Sequence, residues 1–334
     1  MLMRTFTIAL ISRPLHCISS QSTAMSFSLF LLSLLAATAT STNTLNGSTS
    51  QNGALKIVKT GSITRVTIDH PPINLFDIAL ATDFRDFFNG LKSQGLTNDT
   101  NTSDTKVIVI DSANPDFWIS HFDIATLSQQ TEHGVPPGNL TLLTEEAIEL
   151  TSNLRNLPII SIAELNGRAS GVGNEIALQA DIRYAGPNTK LSQFEVGTGL
   201  APGGGGIQFL TALIGRARAL EYILSARSVD ASEAERIGWV NRGFQSADEL
   251  GQETLALATR IATFPIQALA GVKERVNVQK PSDESVLGDL QAFSGGVTQN
   301  VTQRANARFL ELGDGQRNTP FERNIPEDID QILS

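Results

Sequence analysis

Glu175 and Glu195 stand twenty residues apart, each embedded in glycine-rich chain. The first follows Gly171-Val172-Gly173-Asn174; the second sits in Gln193-Phe194-Glu195-Val196-Gly197, with Leu200-Ala201-Pro202-Gly203-Gly204-Gly205-Gly206 close behind. Two carboxylates on separate elements, in different surroundings, can divide general-acid and general-base work at a carbon beside a polarised carbonyl. The polarising group is available in the backbone. A glycine-hinged turn entering a helix leaves unpaired N–H groups at its positive end, where a developing oxyanion is stabilised. Each glutamate also has a plainer account: the helix dipole favours Glu in a first turn whatever its role, and Glu195 could be a loop carboxylate facing water. Phosphate-cradling loops are the weaker reading of the glycines. Gly171-x-Gly173 lacks the third glycine of a dinucleotide fingerprint, and no Gly-Lys-Ser/Thr follows Gly203 to Gly206. A third cluster, Gly295-Gly296, reads as another glycine-rich turn.

The elements that must position these groups are legible in outline. Leu55 to Val58 and Ile63 to Ile68 read as a hairpin about Lys59-Thr60-Gly61-Ser62, the start of the fold. A helix from Ile78 carries Leu80, Phe84, Phe87, Phe88 and Leu91 on one face. Val107 to Ile110 and Ile159 to Ala163 are apolar strands separated by a helix with Leu143, Ala147, Leu150 and Leu154, and Ile182 to Ala185 adds a strand. Apolar strands alternating with helices imply a buried, largely parallel sheet. The stretch Ile162 to Leu178 reads as strand, glycine-hinged turn, then helix, placing Glu175 in a first helical turn. From about residue 205 only helices are expected.

At this point the sequence resembles the enoyl-CoA hydratase/isomerase (crotonase) family, from about Leu55 to Asn277. Asn166 to Ala177 is similar to the family's Asn-Gly-x-Ala-x-Gly-Gly-Gly-x-Glu-Leu-Ala pattern, with Glu175 on the first glutamate and Val172 on the middle glycine. Phe194-Glu195 matches its Pro-Glu, and Pro202-Gly203 its following Pro-Gly. Phe117 to Ile124 looks like its Phe-x-Ala-Gly-Ala-Asp-Ile loop. The resemblance implies an α/β crotonase-like spiral of strand-strand-helix turns over residues 51–245; residues 1–50 read by composition as a cleavable targeting leader and polar linker. The resemblance further implies a C-terminal helical region at 246–334 that packs against neighbouring subunits in a homotrimer or homohexamer.

The resemblance also implies the roles. The N–H groups of Phe122 and Val172 would form the oxyanion hole, and Glu175 and Glu195 would handle water and the α-carbon proton. Gly203 would help place the water, while Gly171, Gly173, His121, Asp123 and Ile124 would border water or substrate. The substrate would be an acyl-CoA, with coenzyme A as part of the substrate and no tightly bound cofactor. Hydration of a 2-enoyl-CoA leads; isomerisation, thioester hydrolysis and decarboxylation use the same oxyanion hole. The rival of another class, motivated by the leader and not by the resemblance, is a secreted crotonase-fold binding or scaffold protein without coenzyme A chemistry. His121 stands where glycine is usual and Phe122 where a small residue is usual, which implies a narrowed acyl or pantetheine channel. By itself His121 reads as a partly buried structural histidine. Lys273 lies where the family often carries a lysine, giving a possible contact to a coenzyme A phosphate.

Composition bounds the rest. The 334 residues are 41% hydrophobic and 18% charged with a net charge of −9, which excludes nucleic acid as the main partner. Four scattered histidines and a single cysteine, Cys17, make no metal site and no disulfide. No acidic residue precedes Asp69, and the apolar run Phe27 to Leu35 followed by Ala37-Thr38-Ala39 reads as a secretory signal, too short for a membrane span. A mitochondrial transit peptide is the alternative. Asn-x-Ser/Thr acceptor sites at Asn46, Asn98, Asn101, Asn139 and Asn300 fit a secretory route.

Overall fold

The computed structural model describes residues 46–95, 104–128 and 138–332. The apolar leader with its cleavage pattern, Cys17, His133 and the acceptor residues Asn98 and Asn101 lie outside the described residues. The strands are β1 (Asn46–Thr49), β2 (Leu55–Thr60), β3 (Ile63–Ile68), β4 (Val107–Ser112), β5 (Phe117–Ile119), β6 (Ile160–Leu165), β7 (Arg168–Ser170), β8 (Ile182–Ala185), β9 (Lys190–Ser192), β10 (Val229–Asp230) and β11 (Arg242–Gly243). The helices are α1 (Ile78–Ser93), α2 (Ile124–Ser128), α3 (Gly138–Asn156), α4 (Val172–Gln179), α5 (Gly206–Ile214), α6 (Arg216–Ser225), α7 (Ala231–Ile237), α8 (Ala247–Ala262), α9 (Ile266–Val276), α10 (Asp283–Val297), α11 (Asn300–Leu312), α12 (Pro320–Arg323) and α13 (Ile325–Asp328).

Seven strands form one sheet in the order β1-β2-β3-β4-β6-β8-β11, antiparallel from β1 to β3 and parallel from β3 onward. A second sheet runs β10-β9-β7-β5. The pairs β4/β5, β6/β7 and β8/β9 each send one strand to either sheet, so the chain winds as a spiral of ββα turns. All four residues Val107 to Ile110 of β4 are buried because both faces are covered. Ile108 and Ile110 join the core under α1 and α3, while Val107 and Val109 meet Ala258, Leu257 and Ile261 of α8.

The sheet begins earlier than the hairpin signal implies. Asp83, buried on α1, accepts hydrogen bonds from the Ser50 hydroxyl, the Asn52 N–H (2.9 Å) and the Ala54 N–H (3.0 Å), fastening the polar linker so that β1 can pair with β2. The short strands β5 and β7 occupy chain that reads as loop or turn, and β10 and β11 lie beyond residue 205, where the sequence suggests helices alone. Gly295 and Gly296 fall inside the last turn of α10 and not in a loop; a Cβ on Gly296 would lie 2.9 Å from Leu200 Cδ2, so the glycine allows close packing. The helices after residue 246 divide in two. α8 covers the outer face of the main sheet, and α10 to α13 fold over this chain's own glycine-rich end, where Phe293, Val297, Phe309, Phe321 and Ile325 cluster with Ile124, Phe194 and Leu200. Among the described residues no single helix is long and apolar enough to cross a membrane.

Candidate active site

The turn from β7 into α4 depends on Gly171. Its φ is 53°, and a Cβ there would stand 3.2 Å from Glu195 Oε1. Its N–H donates to Ser192 O on β9 (3.0 Å), which ties the turn to the second sheet. Val172 is already the first helical residue, so a valine in place of glycine meets no backbone conflict. Gly173 serves packing: a Cβ would lie 2.2 Å from Ile119 O, so its absence lets α4 rest directly on β5.

Glu175, one turn further, is 4% exposed. Its Oε1 accepts from the N–H groups of Gly204 (2.8 Å) and Gly206 (3.0 Å). The glycine run before α5 therefore presents amides to this carboxylate, and a Cβ on Gly204 would lie 2.5 Å from its Oε2. Burial raises the carboxyl to about 7, against the opposing pull of the two amides and with a small push from Asp289.

Glu195 begins a short 3-10 helix, Glu195–Thr198, and is 9% exposed. Gln193 Nε2 donates to its Oε1 (3.1 Å); the Gln193 carbonyl oxygen accepts from Asn174 Nδ2, and Asn174 Oδ1 from Trp239 Nε1 (3.0 Å). Its Oε2 is buried with no partner among the described residues. Burial first, and the charge of Glu175 second, hold this carboxyl well above the usual range.

Phe122 forms a parallel bridge with Phe76: Phe76 N–H donates to His121 O (2.9 Å) and Asp123 N–H to Phe76 O (3.2 Å). That pattern turns the Phe122 N–H away from the bridge. Among the described residues neither it nor the N–H of Val172 reaches an acceptor, as expected of a first helical residue in the second case.

Both residues and both glutamates line one cavity of about 50 Å³, together with His121, Ile124, Gly171, Gly203 and Gly204. Its remaining wall is apolar, from Leu127, Ala147, Ile148, Phe194, Leu200, Leu290 and Phe293 with two threonines. Phe122 is half-buried, its ring against Phe76 and Phe293. Of the residues singled out from the sequence, Gly173 and Asp123 stay outside. Asp123 caps α2, accepting from Ala125 N–H (3.0 Å) and Thr126 Oγ1 (2.8 Å).

His121 is fully buried, not partly, and faces acceptors on both ring nitrogens: Phe122 O (2.8 Å) and Glu322 Oε2 (2.8 Å). Burial works against its proton, but the Glu322 carboxylate and the Phe122 carbonyl prevail and raise its pKa. Lys273 is not free to meet a phosphate. Its buried Nζ donates to Leu154 O (2.7 Å), Ile159 O (2.8 Å) and Asp181 Oδ2 (2.8 Å). Sequence reasoning noted Gly204 and Gly206 only as part of the glycine run and gave no role to Gln193 or Phe293. Gln193, two residues before Glu195, carried a local signal; Phe293 is joined to the site only by the fold.

The family model described as enoyl-CoA hydratase/isomerase matches residues 59–319. A probable enoyl-CoA hydratase of Mycobacterium bovis is 37% identical over 153 residues, 45% of this chain and 59% of that protein, so the chain spans less than two thirds of that relative's length. A short-chain-enoyl-CoA hydratase of Clostridium acetobutylicum is 30% identical over 214 residues, 63% of this chain and 79% of its own. Among solved structures, a Streptomyces avermitilis protein assigned as an enoyl-CoA hydratase aligns with a TM-score of 0.71 and 31% identity, covering 85% of this chain and 98% of that one.

Proposed function

This chain belongs to the enoyl-CoA hydratase/isomerase family, and we propose that it adds water to short 2-enoyl-CoA thioesters to give 3-hydroxyacyl-CoA. The observation that carries this reading is the pair of buried carboxylates from separate elements, meeting in one cavity beside two unpaired backbone amides. The thioester oxygen would lie against the N–H groups of Phe122 and Val172, at the positive end of α4. Glu175, whose oxygen is held by two glycine amides that favour the ionised form, would orient water and take its proton as the oxygen bonds C3. Glu195, whose protonated form is favoured by burial and by the charge of Glu175, would deliver its proton to C2. The enoyl group thereby gains OH and H, and the proton left on Glu175 replaces the one spent by Glu195 once solvent re-enters. Double-bond isomerisation needs a single relay carboxyl; the second, separately held one favours hydration.

The half-buried ring of Phe122 against Phe293 narrows the apolar part of this cavity, which supports a short acyl chain. Coenzyme A itself would remain outside it. Self-association into trimers or paired trimers is supported by the exposed apolar side chains Val272 and Val276 of α9 and Val278 just beyond it. The secretory leader is part of the proposal too, and sequencing the mature N-terminus tests it against a transit peptide. The deciding experiment for the chemistry is loss of enoyl absorbance with crotonyl-CoA as substrate. Glu175→Gln and Glu195→Gln are each expected to lower the rate roughly 10²-fold with the fold intact. Near-normal turnover in either variant removes that residue from the reaction.

A further inference from the structure

The loop that carries the Phe122 N–H is held by chain almost two hundred residues away. We propose that Glu322 and Gln316 are positioning residues that fix the aim of this amide at the carbonyl oxygen, a role that rests on the acyl-thioester reading above.

The Phe122 N–H shares its rigid peptide plane with the His121 carbonyl, which accepts from Phe76 N–H (2.9 Å). The next plane is held at both ends. Its carbonyl, on Phe122, accepts from His121 Nδ1 (2.8 Å), and its N–H, on Asp123, donates to Phe76 O (3.2 Å). The imidazole is therefore a brace across the loop, and Glu322 sets the brace: Oε2 meets Nε2 at 2.8 Å, with His121 1% and Glu322 0% exposed. Since Nδ1 faces a carbonyl, it must carry a hydrogen, and the Nε2 contact is closed by one shared proton. The rings of Phe309 and Phe194 stand edge-on to the imidazole at 5.1 and 6.1 Å and block other rotamers.

Gln316 supplies the second tie. Its Oε1 accepts from Ile124 N–H (2.7 Å) and its Nε2 donates to Asp123 Oδ1 (2.8 Å), so it grips the chain immediately after the amide. Its backbone has φ of 67°, and Asp314 one of 48°, both in the left-handed region that disfavours a side-chain-bearing residue. Backbone bonds close the turn, from Gly315 N–H to Leu310 O (2.9 Å) and from Arg317 N–H to Gly313 O (2.9 Å), and the Gln316 side chain ties it to the loop. Neither Glu322 nor Gln316 lines the cavity, so neither is placed to touch substrate.

The test uses the full chain with Glu322→Ala, Glu322→Gln and Gln316→Ala, following kcat and KM on crotonyl-CoA and hydrogen–deuterium exchange at residues 119–126. Loss of the brace should lower kcat roughly tenfold in Glu322→Ala while KM stays within about threefold, because an oxyanion donor acts mainly in the transition state. Glu322→Gln, whose amide still reaches Nε2, should recover most of the rate, and Gln316→Ala should fall between. Exchange at residues 119–126 should quicken in both alanine variants. The proposal is overturned if Glu322→Ala keeps kcat within twofold and loses only melting temperature, or if the glutamine variant is as impaired as the alanine one. Should Glu322→Ala not fold, Gln316→Ala is judged by the same criteria. A wild-type chain inactive on every enoyl thioester defeats the hydratase reading alone; the exchange result then decides the brace, and unchanged exchange defeats it.

Discussion

A carboxyl buried against its own ionisation makes stability depend on pH, and Glu175→Gln should remove much of that dependence. The side chain of Glu175 is 4% exposed and its carboxyl is raised from 4.5 to about 7. At about 1.4 kcal/mol per pH unit, the rise corresponds to about 3 kcal/mol. The sign follows from the folded value lying above the unfolded one. The stability that Glu175 contributes is fully present below pH 4.5 and is lost as pH climbs through about 7, because the unfolded chain ionises first. Glutamine can still accept from the Gly204 and Gly206 amides but cannot ionise. In urea unfolding at pH 5 and pH 8, the stability of the variant relative to wild type should therefore rise by up to about 3 kcal/mol between the two. Glu195 adds to the rise from Glu175 alone, because it ionises more readily once its charged neighbour is gone and so costs the folded variant less at pH 8. The double variant Glu175→Gln/Glu195→Gln bounds this effect, since neither residue then titrates. If the difference between wild type and Glu175→Gln is the same at both pH values, Glu175 is not the buried titrating group described here.

Gly204→Ala places a Cβ 2.5 Å from Glu175 Oε2 and should cut kcat roughly 10²-fold, while Gly271→Ala, which has open space around it, should leave kcat unchanged in the same assay. Lys273→Met removes the cation beside Asp181, which keeps its bonds from Ser161, and takes the donor from two carbonyls, so it should cost about 1 to 3 kcal/mol in urea unfolding yet leave KM for acyl-CoA unaltered; a raised KM would return Lys273 to the coenzyme A site. Phe122→Ala keeps the N–H and removes the ring beside Phe293, so kcat/KM should shift toward longer enoyl thioesters by a factor matching about 1 to 3 kcal/mol, and an unchanged chain-length profile would assign the ring to the core.

The sequence was readable wherever a local pattern was long enough to show its period. The helix expected from Ile78 begins there, capped by Asp77, which accepts from Leu80 N–H (3.0 Å), and its apolar face is the buried one. Ile182 to Ala185 is likewise the strand it reads as. The second sheet was illegible because β5, β7 and β9 have three residues each, too few to alternate visibly, and their strand character comes from pairing with one another. Gly295-Gly296 shows the opposite failure. A glycine pair usually marks a turn, but tertiary contact overrides that preference where α10 must approach Leu200 closely.

The candidate site divides along the same line. Glu175 and Glu195 could be singled out because helix start, glycine turn and carboxylate lie within a few residues of one another. What supports them could not be assigned, since the glycine run at 203–206 offers backbone donors without showing that the fold turns its amides onto Glu175. His121 was visible as an oddity in a position where a small residue is usual, and by itself a buried structural histidine was the sensible account. A fully buried imidazole facing a backbone carbonyl on one side needs something polar on the other, because an unmet ring nitrogen there costs about 1 to 3 kcal/mol. That need is legible in principle, but its answer, Glu322, is 201 positions away, beyond any local pattern. The histidine and the C-terminal turn thus form one device: replacing His121 by glycine should leave Glu322 buried with neither oxygen paired to a ring and cost more than Glu322→Gln does. In urea unfolding that order, His121→Gly below Glu322→Gln below wild type, is expected, and the reverse order would mean the two residues pack independently.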